Sequence, residues 1–212
     1  MSPRAEQKLQ TRQALMDAAR SLMDSGRGFC SLSLREVSRT AGIVPTGFYR
    51  HFQDMEALGL ALVAEVDETF RRTLRDVRRS EFELGGIIEA STRIFLDAVN
   101  LNRNQFLFLA REQYGGSQPV RQAIASLRQQ ITNELAADLK LMNRTPHLDE
   151  AALDVVSDLV VKTVFATLPE LIDPPSDSLP PHLMPESKMV QQLRFIFIGA
   201  KHWHGLGHGD SQ

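Results

Sequence analysis

The chain has 212 residues and a formal net charge of −2, and 42% of its residues are hydrophobic while 24% are charged. These values are typical of a soluble globular protein with one or two domains, and no apolar run is long enough to span a bilayer, which excludes an integral membrane protein. The only cysteine, Cys30, excludes an internal disulfide, and the amino terminus lacks the apolar core of a secretion signal, so we expect a cytoplasmic protein.

The charge is distributed unevenly along the chain. Residues 1–53 contain eight basic and four acidic side chains, which gives this segment a net charge of +4. The remainder contains 16 basic and 22 acidic side chains, a net charge of −6. This asymmetry indicates that a polyanion-binding surface lies near the amino end.

The first helix is predicted from about Glu6 to Ser25, with Gly26 as its stop. The tail before it carries Arg4 and Lys8. We interpret this tail either as a basic arm that reaches a minor groove or as a disordered segment.

The segment from Ser31 to Phe52 predicts two short helices joined by a tight turn. Ser33 and Glu36 have the spacing of a capping box, and Pro45 predicts the start of the second helix. That helix has apolar anchors on one side and small, aromatic and cationic groups on the other, which suits insertion into a DNA major groove. The predicted DNA-binding residues are Ser33, Arg35, Pro45, Thr46, Gly47, Tyr49, Arg50 and His51.

We assign different roles within that set. Tyr49 and His51 are expected to donate to phosphates, whereas Thr46, Gly47 and Arg50 lie where base edges can be approached. Surface ion pairs are the alternative for Arg35 and Arg50. The small core behind this surface is predicted to contain Leu15, Leu22, Phe29, Leu34, Val37, Ile43, Phe48 and Phe52.

Helical periodicity continues to the end of the chain, and no strand pattern competes with it. A long helix is predicted from about residue 54 to 78, and it is a candidate lever between the two domains. Further helices are predicted near residues 87–98, 106–110 and 119–139, and then at 147–167 and 186–203. The segment 169–185 holds six of the ten prolines and is predicted to be a loop. The predicted fold is all-α, with a three-helix DNA-binding domain at 1–53 and an effector-binding and dimerisation bundle of about six helices at 54–212.

Apolar rings without polar groups are frequent in the second domain, where they form either core packing or an apolar tunnel for a ligand. The candidate effector-binding residues are Phe95, Phe106, Leu109, Arg111, Phe165, Leu168, Phe197 and Trp203. No metal site is predicted, because His202 and His204 point to different faces of a helix and His208 follows glycine turns. No catalytic motif is present, so the chain is not predicted to be an enzyme.

Residues 31–37 and 41–52 resemble the helix-turn-helix of TetR-family transcriptional regulators. Residues 4–8, 58–60 and 104–112 are similar to the FabR/DesT branch of that family, which represses unsaturated fatty acid synthesis and acyl desaturases. One departure is visible: many members carry a lysine at the start of the next helix, where this sequence has Asp54 and Glu56. A phosphate contact there would have to use backbone amides at the helix start.

The resemblance implies a repressor that binds a palindromic double-stranded operator as a homodimer. It places the dimer interface on helices 147–167 and 186–203, and it implies a long-chain acyl-CoA as effector, with saturated and unsaturated chains acting in opposite directions. No other cofactor is implied. Two alternatives stay open: a TetR-type sensor of another hydrophobic compound, such as a drug or quorum signal, and a helical lipid-binding enzyme.

Overall fold

The computed structural model describes residues 2–24, 26–79, 86–142, 146–173 and 180–203. Within these ranges the chain forms helices and contains no strand, and no helix there is long and apolar enough to cross a membrane. The helices are α1 Pro3–Asp24, α2 Leu34–Thr40, α3 Pro45–Phe48, α4 Met55–Arg79, α5 Ile87–Leu101, α6 Arg103–Glu112, α7 Gln118–Met142, α8 Glu150–Ile172 and α9 Pro185–Lys201. The predicted all-α class is confirmed, and the described residues form three α-helices before residue 53 and six after it.

Residues 2–52, which we call the amino-terminal head, pack around a small aromatic core. Phe48 is fully buried and its ring lies 5.7 Å from that of Phe52. Of the predicted core, Leu15, Phe29, Val37, Phe48 and Phe52 are buried, whereas Leu22, Leu34 and Ile43 are only partly buried. Burial of large apolar side chains is the main term that stabilises a head of this size, in which α2 and α3 are short.

The interpretation of the amino-terminal tail as disordered was wrong, because Arg4 and Lys8 lie inside α1. Its reach into a minor groove stays a prediction. The helix begins at Pro3, three residues earlier than predicted, and Ser2 O accepts hydrogen bonds from the amides of Ala5 and Glu6. Proline suits the first helical position, where an amide N–H has no acceptor in the helix. At the other end, the predicted residue Ser25 is outside the described residues, and Gly26 has the positive φ of 88° that suits a helix stop.

The chain forms two compact units. Unit 1 combines Met1–Arg79 with Asp97–Ala125, and unit 2 combines Ser80–Leu96 with Ser126–Gln212. Two ring contacts in unit 1 involve α6: Phe70 with Phe106 at 5.3 Å, and Phe29 with Phe108 at 5.9 Å. The first pair joins α6 to α4, and the second joins it to the head. The predicted boundary at residue 53 separates a DNA-binding domain from an effector-binding domain. It is a division by function, and it stays a prediction.

In unit 2, α8 packs along α9. Its apolar cluster contains Leu148, Leu153, Val156 and Ala200, and Phe197 packs against it. The predicted start of α8 at His147 was wrong by three residues, because Asp149 caps the helix by accepting the Ala152 amide at 2.8 Å. His147 instead places Nε2 2.9 Å from Ala200 O.

The prediction of one loop from Pro169 to Pro185 was also wrong. Pro169 lies inside α8, which continues to Ile172, and Pro185 is the first residue of α9. Pro169 removes one helical hydrogen bond, but Leu168 and Ile172 are buried on either side of it and favour continuation of the helix. A 3₁₀ turn covers Pro181–Leu183, and residues 174–179 of the predicted loop are outside the described part.

Candidate DNA-binding surface

The start of α2 is fixed by the predicted capping box. Ser33 Oγ accepts the Glu36 amide at 3.2 Å, and Glu36 Oε2 accepts the Ser33 amide at 3.0 Å. Arg27 donates to Glu36 Oε1 at 3.1 Å. The hydrogen bond from Arg27, followed by those from Ser33, lowers the pKa of Glu36 to about 2. The ionised Glu36 therefore contributes its full stabilisation of the fold at pH values above the ordinary pKa of a glutamate, and this contribution is lost as the pH falls toward 2.

The turn between α2 and α3 depends on two glycines. Gly42 has a φ of 70°, which a side chain would disfavour. A Cβ placed on Gly47 would lie 2.8 Å from Ile43 Cγ2, so close packing of α3 on the turn requires glycine there. The sequence suggested Gly47 only as a point of close approach to DNA, and the structure adds this packing role.

The structure places most of the predicted DNA-binding residues on accessible surface. Pro45, Thr46, Tyr49 and Arg50 are exposed along α3 and the turn after it, while Gly47 and His51 are partly buried. Ser33 and Arg35 are exposed at the start of α2, although the Ser33 hydroxyl is already committed to Glu36. Tyr49 is 63% exposed, and its ring meets the buried Phe48 ring edge-on at 6.0 Å. The buried Phe48 ring therefore fixes the position of the exposed Tyr49 ring.

His51 is the most constrained member of the set. Its Nδ1 is buried and makes no hydrogen bond to any described residue, so Nε2 is the ring nitrogen able to reach a phosphate. Desolvation lowers the pKa of His51, and the positive charges of Lys8, Arg12 and Arg50 lower it further. The ring is therefore neutral at neutral pH, and a phosphate anion would raise its pKa.

Arg12 was missed by sequence reasoning. Its Nη1 donates to His51 O at 3.0 Å, and its guanidinium lies 4.2 Å from the centre of the Phe52 ring. Cation–π stacking of this kind stabilises by about 0.5–1 kcal/mol at accessible sites. Arg12 thus fixes α1 against the residues that follow α3. The two contacts join residues that are 39 and 40 positions apart in the sequence, so no local sequence pattern predicts them.

The acidic start of α4 has a structural explanation. Asp54 Oδ1 accepts the Ala57 amide at 2.8 Å and so caps the helix. Because the carboxylate occupies this amide, Ala57 is not free to donate to a phosphate. A preference for aspartate before a helix start was the sequence signal that would have identified the cap.

We expect Tyr49 and Thr46 to affect DNA binding differently. Replacing Tyr49 with phenylalanine removes a hydroxyl that is free to donate to a phosphate, so affinity should fall by a similar factor on specific and mixed-sequence duplexes. Replacing Thr46 with valine changes a group facing base edges, so sequence preference should change instead. Fluorescence anisotropy on both duplexes measures this, and parallel losses for both variants would contradict the assignment.

The candidate effector residues are divided between the two units. Phe106, Leu109 and Arg111 belong to unit 1, where Phe106 and Leu109 are fully buried and Arg111 Nη1 donates to Met23 O at the end of α1. In unit 2, Phe95, Phe165 and Leu168 are buried, Phe197 is partly buried and Trp203 is 43% exposed. Of the histidines weighed as metal ligands, His204 and His208 are outside the described residues. Within the described residues, no group of three or more side chains is placed to hold a metal ion.

A buried carboxylate at the end of α6 is a second feature that sequence reasoning missed. Glu112 is 2% exposed, and its Oε1 accepts the Phe29 amide at 2.8 Å. Its Oε2 has no hydrogen-bond partner within the described ranges. A Cβ on Gly115 would overlap this carboxylate, so any other residue there would have to displace the Glu112 side chain. Arg111 thus attaches α6 to the end of α1, and Glu112 attaches it to the segment that joins α1 to α2.

The comparisons with known proteins cover both halves of the chain. Residues 15–62 match the family model for bacterial regulatory proteins of the tetR family, and residues 84–199 match that for the tetracyclin repressor-like C-terminal domain. A putative TetR-family regulator from Syntrophomonas wolfei is similar in structure, with 14% identity, coverage of 90% of this chain and 94% of its own, and a TM-score of 0.70.

Two further solved structures have similar folds. GusR from Salmonella enterica has 21% identity, with 94% of this chain and 97% of its own covered, and a TM-score of 0.68. The fatty acid degradation regulator FadR from Bacillus halodurans has 12% identity, with 98% of each chain covered, and a TM-score of 0.67. At these identities the likenesses establish a common fold.

Proposed function

The chain belongs to the TetR family of bacterial regulatory proteins, and we propose that it is a ligand-responsive repressor of genes for unsaturated fatty acid synthesis and acyl desaturation. As a member of that family it is a DNA-binding transcriptional regulator and not an enzyme. The main support for its role in DNA binding is the exposed surface of α3 and of the turn after it, which presents Thr46, Tyr49 and Arg50 to solvent. We place its action in the cytoplasm, where bacterial DNA lies.

We propose that it binds a palindromic operator as a homodimer through α8 and α9. These adjacent helices expose large apolar side chains: Val155 is 59% exposed, Leu159 45%, Phe195 75% and Ile198 58%. Val155 and Leu159 are one turn apart on α8, and Phe195 and Ile198 are one turn apart on α9. Such apolar ridges are typical of surfaces that a partner covers. A two-fold dimer would present two α3 helices to two half-sites.

We propose a long-chain acyl-CoA as the effector. The sequence of residues 104–112 is similar to that of the FabR/DesT branch. The candidate residues also include four apolar rings, which are Phe95, Phe106, Phe165 and Phe197. The structural neighbour FadR regulates fatty acid degradation, which is in keeping with a lipid effector for this fold. An acyl chain needs a long apolar site, and helical bundles commonly provide one between their helices.

The contacts of α6 support a route from effector to DNA. Within unit 1, Thr69 Oγ1 on α4 donates to Gln105 Oε1 on α6 at 2.7 Å, and Glu112 holds the Phe29 amide. A ligand changes an equilibrium only when it binds two conformations unequally. A straight and a kinked acyl chain would bind two conformations unequally if α6 shifts between two positions. The head would then move with α6 through the hydrogen bond between Glu112 and Phe29.

Direct binding tests the effector proposal. Isothermal titration of oleoyl-CoA into the full-length protein, below the micelle-forming concentration, should show saturable binding of one molecule per protomer. Coenzyme A without an acyl chain should bind far more weakly, because most of the affinity would come from apolar burial. Equal heats for both compounds, or no saturation with either thioester, would contradict an acyl-CoA effector and favour another hydrophobic ligand.

A further inference from the structure

Three basic residues form a stripe along the amino-terminal half of α1. Arg4, Lys8 and Arg12 are spaced four residues apart, and α1 is helical from Pro3, so all three lie on one face of the helix. Arg4 and Lys8 are exposed, and Arg12 is partly buried. We call these three residues the α1 basic stripe.

Arg12 places this stripe beside the residues that follow α3. Its Nη1 donates to His51 O at 3.0 Å, and its guanidinium stacks 4.2 Å from the centre of the Phe52 ring. Lys8 lies near enough for its charge to act on the His51 ring, together with Arg12 and Arg50. The stripe therefore lies beside His51 and adds to the positive charge that Arg50 supplies there.

These cations do not form ion pairs with the three acidic residues of α1, which are Glu6, Asp17 and Asp24. Asp17 pairs with Arg20, and Asp24 lies 3.8 Å from Arg103. Within the described ranges, no carboxylate forms an ion pair with Arg4, Lys8 or Arg12. Three positive charges on one face give that face a positive potential, which attracts a polyanion.

The start of α4 does not add positive charge to this surface. Asp54 and Glu56 are acidic, and the Asp54 carboxylate accepts the Ala57 amide at 2.8 Å. The positive charges that act on His51 come instead from Lys8 and Arg12 on α1 and from Arg50.

We propose that the α1 basic stripe binds backbone phosphates of DNA next to the groove that α3 enters. Arg4 and Lys8 contact the phosphates, and Arg12 is a positioning residue that holds α1 on the His51 carbonyl. These contacts are sequence-independent and add affinity and salt dependence without adding specificity. They add phosphate contacts from α1 to those made by the residues around α3.

The test compares Lys8→Gln with Arg72→Gln on a mixed-sequence duplex of about 30 base pairs. Arg72 is a matched control, since it is an exposed cation on α4, about 25 Å along the axis from Met55. Binding is measured by fluorescence anisotropy between about 50 and 200 mM salt. Because no effector is present, the outcome does not depend on the acyl-CoA proposal.

We expect Lys8→Gln to weaken binding by on the order of tenfold and to reduce the slope of log K against log salt by about 1.8 for a dimer. Arg72→Gln should leave both quantities unchanged. Arg12→Ala should also weaken binding, whereas Arg12→Lys should restore part of it, because the charge remains while the stacking is reduced. Equal salt slopes for Lys8→Gln, Arg72→Gln and the unsubstituted protein would overturn the proposal, provided that circular dichroism shows all of them folded.

Discussion

Replacing Phe48 with alanine is expected to unfold the amino-terminal head and abolish DNA binding. Phe48 is fully buried, and its ring packs against those of Tyr49 and Phe52. Truncation of a buried phenylalanine typically costs about 3–5 kcal/mol, a large fraction of the roughly 5–15 kcal/mol that stabilises a whole domain. Because α3 has only four residues, it has little stability of its own once this anchor is lost.

Urea denaturation followed by circular dichroism, together with anisotropy on duplex DNA, measures both effects. Leu101→Ala is the matched control, since Leu101 is 84% exposed in the same unit and its truncation should change stability by no more than about 0.5 kcal/mol. If Phe48→Ala had the unfolding midpoint of the control and bound DNA normally, the packing of the head would be different from that described.

Replacing Phe195 with glutamate is expected to dissociate the dimer and to weaken operator binding by about a hundredfold or more. In the single chain this side chain is 75% exposed, so a charge there should not disturb the fold. In the proposed interface it would bury a charge without a partner. Two linked half-site contacts would become independent, and such linkage commonly contributes a factor of 10²–10⁴.

Sedimentation velocity at micromolar protein concentration would show the change of mass directly. Leu141→Glu provides the control, because Leu141 is 83% exposed on α7 and lies outside the proposed interface. A dimer of unchanged stability for Phe195→Glu, with normal operator affinity, would place the interface on another surface.

Local chemistry made much of the head predictable. The spacing of Ser33 and Glu36 identified a capping box that the structure contains, and Pro45 correctly marked the start of α3. Both signals operate within one helical turn. The division into three helices in the head and about six further ones followed from apolar periodicity.

The contacts that position the site could not be predicted in this way. Arg12 meets His51 across 39 positions, and Glu112 meets Phe29 across 83. Such pairs are decided by tertiary packing, which leaves no periodic signal in the sequence. Pro169 misled the prediction for the same reason, since burial of the neighbouring Leu168 outweighed the local tendency of proline to end a helix.

The contacts of α6 with α4 and with the head are relevant to the proposed response to an effector. Glu112 is buried and fixes the chain just before α2, while Phe106 and Phe108 on the same helix are buried against Phe70 and Phe29. A displacement of α6 would therefore move polar and apolar contacts of the head together. Within unit 1, α6 is thus in direct contact with α1, with α4 and with the segment that precedes α2.

The most direct test of the account is a titration of palmitoyl-CoA and oleoyl-CoA into the protein bound to a fluorescent operator, selected from a random duplex pool by the purified protein. Salt concentration is held constant, since phosphate contacts make affinity strongly salt-dependent. We predict that the two thioesters shift the apparent DNA affinity in opposite directions, while coenzyme A alone has no effect. The same affinity with palmitoyl-CoA, oleoyl-CoA and no ligand would contradict an acyl-responsive repressor.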